Sequence, residues 1–147
     1  MLRAFILFFL LGMNGCGFRL ATTDVSLDLS MIKPTNEYNN FLDITTIAGV
    51  KDNKHAQYQV KNYKLSPALV SIKNTGNKWR QYEYTASWDL YANDKLTKHI
   101  SQSETINLPS NQSPYQTQLI SEQLQSLRIK LLKETTIIIT MLDQKKS

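Results

Sequence analysis

The sequence predicts an α+β domain of two layers, in which a four-stranded, mainly antiparallel sheet is covered on one face by two helices. Apolar and polar residues alternate over several short stretches, which is typical of strands with one buried face. In two other stretches apolar residues recur every three or four positions, which is typical of amphipathic helices. The predicted order is strand, helix, three strands, helix. Because every element has one apolar side, we expect both helices to cover the apolar face of the sheet.

The first strand and the first helix precede residue 50. Four apolar residues alternate with polar ones in the strand: Val25, Leu27, Leu29 and Met31. Pro34 ends this strand, and Thr35 is placed to cap a helix over residues 36–48. Glu37 would lie in its first turn, where the helix dipole favours a carboxylate, and Gly49 would end it. The apolar side of the helix consists of Tyr38, Phe41, Leu42 and Ala48. Residues 51–64 are polar and rich in lysine, and they predict an exposed connection.

Three consecutive strands are predicted next, and the tight turns between them imply an antiparallel meander. The first covers residues 65–72, and a turn follows over residues 73–78. The second has the strongest alternation of the chain: Tyr82, Tyr84, Ala86, Trp88 and Leu90. We expect Trp88, Tyr84 and Leu90 to be buried between sheet and helices. After a turn at 92–95, the third strand continues the alternation with Leu96, Ile100, Ile106 and Leu108.

The last element is predicted to be a long helix. Ser113 can cap it, Pro114 suits its first position, and Gln116 can complete a capping box. One apolar stripe runs along it: Leu124, Leu127, Leu131, Ile138 and Leu142. Thr135 fills the long interval in the stripe. Residues 135–140 favour a strand by propensity alone, but the stripe keeps its phase through them, so we expect a helix.

The N-terminus has the layout of a bacterial lipoprotein signal. Arg3 precedes an apolar run over residues 4–11, and Gly15 precedes the only cysteine of the chain, Cys16. The run is too short to span roughly 30 Å of hydrocarbon as a permanent helix. We therefore predict a signal peptide over residues 1–15 and one domain over residues 16–147, tethered on the periplasmic side by acylated Cys16. Gly17, in place of Asp, predicts the outer membrane of a Gram-negative cell.

The alternative is an ordinary signal or an uncleaved anchor beside a buried cysteine. The chain carries a formal charge of +5, which becomes +4 once Arg3 leaves with the signal peptide. This modest positive charge fits an anionic partner, such as a phosphorylated glycolipid or a membrane surface. Export and the lack of a basic-aromatic motif argue against nucleic acid.

No set of residues for catalysis is visible in the sequence. The two histidines are His55, in the polar connection, and His99, at a position predicted to face solvent. No Cys or His pair has metal-ligand spacing, and no glycine-rich phosphate loop is present. We therefore expect no catalytic residue, no cofactor and no metal, and we do not expect an enzyme.

Residues 16–20, Cys-Gly-Phe-Arg-Leu, resemble the start of mature lipopolysaccharide (LPS) assembly lipoproteins of the LptE (RlpB) family, in which an aromatic residue follows the acylated Cys-Gly. The element order is that of the family, and residues 115–142 resemble its long final helix. The chain is short for the family, and the Thr/Ile run in the last helix is unusual for it. The resemblance implies an LptD-like partner, the outer-membrane LPS translocon β-barrel. The protein would act as its plug and assembly factor and bind LPS for delivery to the outer leaflet.

The resemblance itself carries over no LPS-contacting residue, but charge placement indicates candidates. Lys73, Lys78 and Arg80 cluster with Trp79 at the predicted turn. Cations there could bind LPS phosphates, with the indole against acyl chains or sugars; the alternative is an ordinary solvated turn. Alternatives for the whole protein are an outer-membrane lipoprotein subunit of a secretion or pilus machine, and a tethered periplasmic domain that binds lipid or hydrolyses a substrate.

Overall fold

The computed structural model describes residues 24–73, 79–109 and 114–147. Within these ranges five strands form one sheet: β1 (Val25–Asp28), β2 (Val50–Asp52), β3 (Tyr58–Lys73), β4 (Trp79–Ala92) and β5 (Lys95–Pro109). Three helices accompany the sheet: α1 (Thr35–Leu42), α2 (Thr45–Ala48) and α3 (Pro114–Gln144). The predicted signal peptide, Cys16, Lys78 and Ser113 lie outside the described residues.

The strands lie in the order β2-β1-β3-β4-β5. Strand β1 is parallel to β2 and β3, whereas β3, β4 and β5 form the antiparallel meander that the sequence predicts. The α+β class is therefore confirmed, with five strands in place of the predicted four. Strand β2 was missed because it has only three residues and lies where an exposed connection is predicted.

Strand β3 begins at Tyr58, seven residues before its predicted start at Leu65. Tyr58 and Val60 are buried, while Gln59 between them lies on the other face of the strand. A bulge follows at Asn62, whose φ of 58° is left-handed. The bulge changes which residues face the core, from Val60 before it to Leu65 after it, so that no single period-two pattern spans the strand.

Trp88 is at the centre of the core, between sheet and helices as predicted. Trp88 and Leu90 are fully buried, and Tyr84 is half-buried against the same cluster. The ring of Phe41, from α1, lies with its centroid 5.0 Å from that of Trp88. Tyr63 packs edge-on against Phe41 at 5.2 Å. This aromatic cluster holds α1 on the sheet beside the bulge of β3.

The predicted helix over residues 36–48 is two helices in the structure. Between α1 and α2, the Thr45 hydroxyl donates to the Leu42 carbonyl at 2.8 Å, which gives that carbonyl a partner outside a continuous helix. Thr35 is the first residue of α1 and makes no side-chain cap, so its predicted capping role is wrong; Pro34 stands at the cap position. Gly49 ends α2 with a left-handed φ of 67°, as predicted.

Helix α3 runs without a break through residues 135–140, which confirms the predicted helix. Three hydroxyls there donate to carbonyls three or four residues earlier, so each hydroxyl has a partner within the helix: Thr135, Thr136 and Thr140. Leu127, Leu131 and Ile138 of the apolar stripe are buried, as is Thr135. Helix α3 packs mainly against β5 and β4.

Two apolar residues of the predicted strands do not face the core. Strand β1 ends at Asp28, so Met31 lies beyond it, 47% exposed, and Ile32 is buried in its place. A register shift at Tyr91 places Leu96 opposite Tyr91, on the face of the sheet without helices. Leu96 is 59% exposed there. Both departures come from strand ends and irregular pairing, which a strict alternation does not reveal.

Candidate functional site

The candidate contact residues lie at the end of the β3–β4 hairpin. Lys73 ends β3, Trp79 begins β4, and the two are direct cross-strand partners. Arg80 pairs with Ile72 on one side and with Leu108 on the other. Because successive residues of a strand face opposite sides, Lys73 and Trp79 share the helix-free face of the sheet, whereas Arg80 faces the helix side. The structure thus brings two of the four residues together; Lys78 lies outside the described residues.

This hairpin end has an open, positively charged surface. Lys73 and Arg80 are exposed, and Trp79 is half-buried. In the described residues 69–73, 79–83 and 105–109, the only carboxylate is that of Glu83. Glu83 is four positions from Trp79, or roughly 13 Å along β4. An anionic group could therefore approach the two cations without meeting a paired carboxylate.

Exposed apolar residues lie beside these cations on the helix side. Leu69 and Ile72 are 51% and 50% exposed, although they face the side that carries the core. Tyr82 and Tyr84 lie next to them on β4, with ring centroids 6.4 Å apart. The sequence reasoning missed this surface, because it assumed that helices cover the whole apolar face. The available signal was that Leu69 and Val70 are consecutive apolar residues, which burial of only one face of a strand does not explain.

The long hairpin is positioned from its base. Strand β4 pairs with β5 without interruption from Trp79 to Leu90, so the ladder reaches the hairpin end. On the helix-free face, hydroxyl and amide side chains continue this pairing across strands. Thr85 and Ser103 are hydrogen-bonded at 2.8 Å, and the Ser71 hydroxyl donates to Gln81 at 3.2 Å. The hairpin end is therefore held by cross-strand bonds more than by helix packing.

A buried ion pair joins α1 to α3. Arg128 Nε and its terminal nitrogen donate to the two oxygens of Glu37 at 3.1 and 2.8 Å, and the Tyr63 hydroxyl donates to the same carboxylate at 2.9 Å. Burial alone would raise the pKa of Glu37, but the hydrogen bonds from Arg128 and Tyr63 outweigh it and lower the pKa below its ordinary value. The sequence reasoning missed this pair. A signal existed, since Arg128 directly follows Leu127 of the buried stripe and a buried cation needs a partner.

Two further tyrosine–carboxylate bonds tie the elements together. The Tyr38 hydroxyl donates to Asp52 at 2.7 Å, and the Tyr58 hydroxyl donates to Asp143 at 2.5 Å. Burial and the bond to Asp143 raise the pKa of Tyr58 to about 12. Both tyrosines therefore remain protonated donors at physiological pH. These bonds fasten α1 to β2 and the end of α3 to β3, which is a structural role.

The histidines have no catalytic surroundings among the described residues. His55 is exposed in a turn. His99 Nδ1 lies 2.7 Å from Asp89, which also accepts a bond from Asn62 at 2.8 Å. The hydrogen bond from Asn62, and to a lesser extent the contact with His99, lowers the pKa of Asp89. In the described ranges, no three His, Cys, Asp or Glu side chains converge in a way that could hold a metal ion.

Two open cavities lie at the other end of β3, away from the hairpin end. One of about 430 Å³ lies between the start of β1 and the end of α3, beside Tyr58 and Asp143. The other, of about 510 Å³, is polar and is lined by His55, Gln59 and Asp94. Neither is lined by any of the candidate LPS-contact residues that the sequence indicates. Of the helices in the described part of the chain, none combines the length and the apolar character needed to cross a bilayer.

Two solved structures of bacterial lipoproteins are similar to this chain. The rare lipoprotein B of Shewanella oneidensis is similar with a TM-score of 0.50 at 13% identity, over 82% of this chain and 98% of that chain. The chain has the fold of this lipoprotein. The minor lipoprotein of Acinetobacter baumannii is similar with a TM-score of 0.49 at 15% identity, over 84% of this chain and 95% of that one. No protein-family model and no curated protein matches the sequence.

Proposed function

We propose that the protein is an outer-membrane lipoprotein that forms a complex with the LPS translocon β-barrel, acts as its plug and assembly factor, and binds LPS. The observation that carries this proposal is the shared fold with rare lipoprotein B, which extends over almost the whole of that chain. The name of that protein is the name of the family, LptE (RlpB), whose N-terminal segment residues 16–20 resemble. Fold and N-terminal segment are independent observations, and both support the same family. In this proposal the protein is not an enzyme and needs no cofactor.

The anchor is the first part of the proposal. Cys16 is the only cysteine and follows the small residue Gly15 after an apolar run. Acylation there would hold the domain at the periplasmic side of the outer membrane. Mass spectrometry of the mature protein should show an acylated N-terminal cysteine, and Cys16→Ala should leave the precursor unprocessed at this site. A mature terminus elsewhere, with an unmodified Cys16, would exclude the lipid anchor.

The helix-free face of the sheet supports a role as a plug. Its side chains on β4 and β5 are mostly small and polar, in two adjacent rows: Gln81, Glu83, Thr85, Ser87, Ser101, Ser103, Thr105 and Asn107. The lumen of an outer-membrane barrel is also polar. A polar surface can form hydrogen bonds with such a wall without burying unpaired groups. We therefore expect this face to contact the barrel.

The hairpin end supports the LPS-binding part. Lys73 and Trp79 lie side by side on one face, so that a phosphate could bind the ammonium while a sugar or chain packs on the indole. Arg80 offers a guanidinium on the other face of the same end, and a guanidinium can bind phosphate with two parallel hydrogen bonds. Lys78 precedes Trp79 in the sequence and adds a further cation.

A pair of double charge reversals tests the LPS contact. Lys78→Glu with Arg80→Glu should weaken LPS binding by roughly tenfold or more and leave association with the barrel intact, because it replaces two attractions by two repulsions. The control is Lys95→Glu with Lys98→Glu, two exposed lysines at the opposite end of β4 and β5. It makes the same change in net charge and should alter binding much less. Raised salt should weaken wild-type binding likewise. Equal effects of both double variants would mean that only net charge matters and that the hairpin end is no contact site.

A further inference from the structure

We infer that the helix-side face of β3, beyond its bulge, binds a fatty acyl chain of an anionic amphiphile whose charged head lies at Arg80. This inference rests on the proposed LPS binding and adds the place where an acyl chain would lie. The surface, called the β3 strip, consists of four residues whose side chains face the helix side: Leu65, Pro67, Leu69 and Ile72. Their cross-strand partners on β4 include Tyr82 and Tyr84.

The β3 strip is the part of the apolar face that the helices leave open. Helix α3 packs mainly on β5 and β4. Helix α1 reaches β3 at Tyr63, through the Phe41 ring and the Glu37 carboxylate. Beyond Tyr63, Pro67 is exposed, and Leu69 and Ile72 keep half of their surface in water. Covering these side chains with an apolar group would be favourable in proportion to the area removed from water.

Charge indicates the kind of molecule that covers the strip. Arg80 is directly opposite Ile72 on the helix side and is exposed, so a cation stands at the far end of the strip. Lys73 follows Ile72 on the other face. Glu104 lies opposite Tyr84 on the helix side, and its carboxylate is already paired with Lys130 of α3. Among the described residues, no carboxylate forms an ion pair with Arg80 or Lys73, and an apolar strip that ends in such cations is complementary to an amphiphile with an anionic head.

The dimensions of the strip suit a single chain. The β4 partners of Leu65 and Ile72, Ala86 and Arg80, are six residues apart, or roughly 20 Å along an extended strand. One leaflet of a bilayer core is about 15 Å thick, which is the space that fatty chains occupy in a membrane. The half-buried Tyr82 and Tyr84 border the strip with an apolar ring and a hydroxyl each.

An added β-strand from a partner protein would fit this edge less well. Strand β1 pairs with β3 only at Tyr58 and Gln59, so among the described strands β3 has β4 as its one neighbour from there on. Pro67 has no N–H to offer a new strand, and the register shifts again between Leu69 and Ser71. Prolines and bulges are devices that prevent edge-to-edge pairing. An acyl chain needs no hydrogen bonds and is not hindered by either.

The experiment compares two probes, hexa-acylated LPS and the same LPS after complete deacylation, on the mature chain purified in detergent. The test variant is Leu69→Thr with Ile72→Thr, which places β-branched threonine, a residue that favours strands, at both positions and removes apolar surface. It should weaken binding of acylated LPS on the order of tenfold and leave binding of deacylated LPS unchanged. The control is Leu96→Thr, an equally exposed leucine on the helix-free face of β5, which should change neither. Circular dichroism and thermal unfolding verify that each variant folds.

Every other outcome overturns the inference. If the wild type binds both probes equally, no acyl chain is recognised, although the head-group contact of the proposed function survives. If the wild type prefers acylated LPS but the Leu69/Ile72 variant binds it equally well, the chain lies elsewhere. If the variant loses the barrel while keeping LPS, the strip is a protein interface. If the wild type binds neither probe, LPS binding and the acyl site fail together, and co-purification with the barrel decides what remains of the proposed function.

Discussion

The pairing of Trp88 with Thr135 provides a quantitative test of how the long helix is docked on the sheet. Trp88 Nε1 donates to the Thr135 hydroxyl at 3.0 Å, and this hydroxyl donates to the Leu131 carbonyl at 2.8 Å. Both side chains are fully buried. Thr135→Val keeps the shape of the side chain and its modest helix propensity but removes the acceptor. The indole N–H would then be buried without a partner, which costs about 1–3 kcal/mol in the free energy of unfolding.

The matched control is Thr140→Val on the same helix. Thr140 makes the same kind of bond, from its hydroxyl to the Thr136 carbonyl at 2.8 Å, but it is exposed and has no tryptophan beside it. Its replacement should change the free energy of unfolding by less than about 0.5 kcal/mol. Urea unfolding followed by far-ultraviolet circular dichroism measures both variants without depending on tryptophan fluorescence.

A double-mutant cycle isolates the hydrogen bond. Trp88→Phe removes the donor, so Thr135→Val in that background should cost much less than in the wild type, with a coupling of about 1 kcal/mol or more. Trp88→Ala should cost more than either change, about 3–5 kcal/mol, because it also leaves a cavity. If Thr135→Val costs no more than Thr140→Val, the helix does not present Thr135 to the tryptophan, and the docking described above is incorrect.

Three further predictions concern the same core. Arg128→Met should destabilise the fold by about 3–5 kcal/mol, because it leaves the Glu37 carboxylate buried and unpaired. Lys130→Met removes a partner from the more exposed pair with Glu104 and should cost less than about 1 kcal/mol. Equal losses of stability in urea unfolding would contradict this prediction. Because the pKa of Glu37 is lowered, its carboxylate contributes fully to folding stability above pH 4.5, and this contribution is lost as the pH falls through the pKa of the folded state. The difference in stability between the wild type and Glu37→Gln should therefore shrink in acid. A difference that stays constant with pH would exclude the ion pair as its source. In a Trp79→Phe background, Trp88 emission should be blue-shifted and poorly quenched by iodide; solvent-like quenching would show that the assigned face of β4 is wrong.

Regular patterns predicted most of the fold. The alternation around Trp88 and the leucine stripe of α3 each follow one period over many residues, and both are confirmed. The start of β3 could not be predicted in this way, because the bulge at Asn62 interrupts its alternation. Strand β2 is too short to show a period at all. The first predicted helix is divided by a local hydrogen bond, from the Thr45 hydroxyl to the Leu42 carbonyl, at a point where the apolar pattern of the sequence predicts a continuous helix.

The candidate site was only partly predictable from sequence. Adjacency in the chain groups Lys73, Trp79 and Arg80, but strand parity places Arg80 on the opposite face. The register of the turn, which composition does not determine, decides whether Trp79 or Arg80 shares a face with Lys73. The exposed β3 strip depends on where the helices end their cover, which is a property of the packed domain. The pairing of Glu37 with Arg128 joins residues 91 positions apart; the place of Arg128 next to the buried stripe indicates that it needs a partner, but not that the partner is Glu37.

Co-purification from detergent-solubilised outer membranes tests the central claim most directly. The tagged mature chain, expressed in its own cell, should bring down one β-barrel protein in a fixed one-to-one ratio that persists in high salt, because a plug is enclosed by its barrel. A tagged Cys16→Ala chain directed to the periplasm by another signal serves as the control for non-specific capture. Recovery of the chain without a barrel, or with several membrane proteins in varying amounts, would contradict the proposed role in LPS translocation.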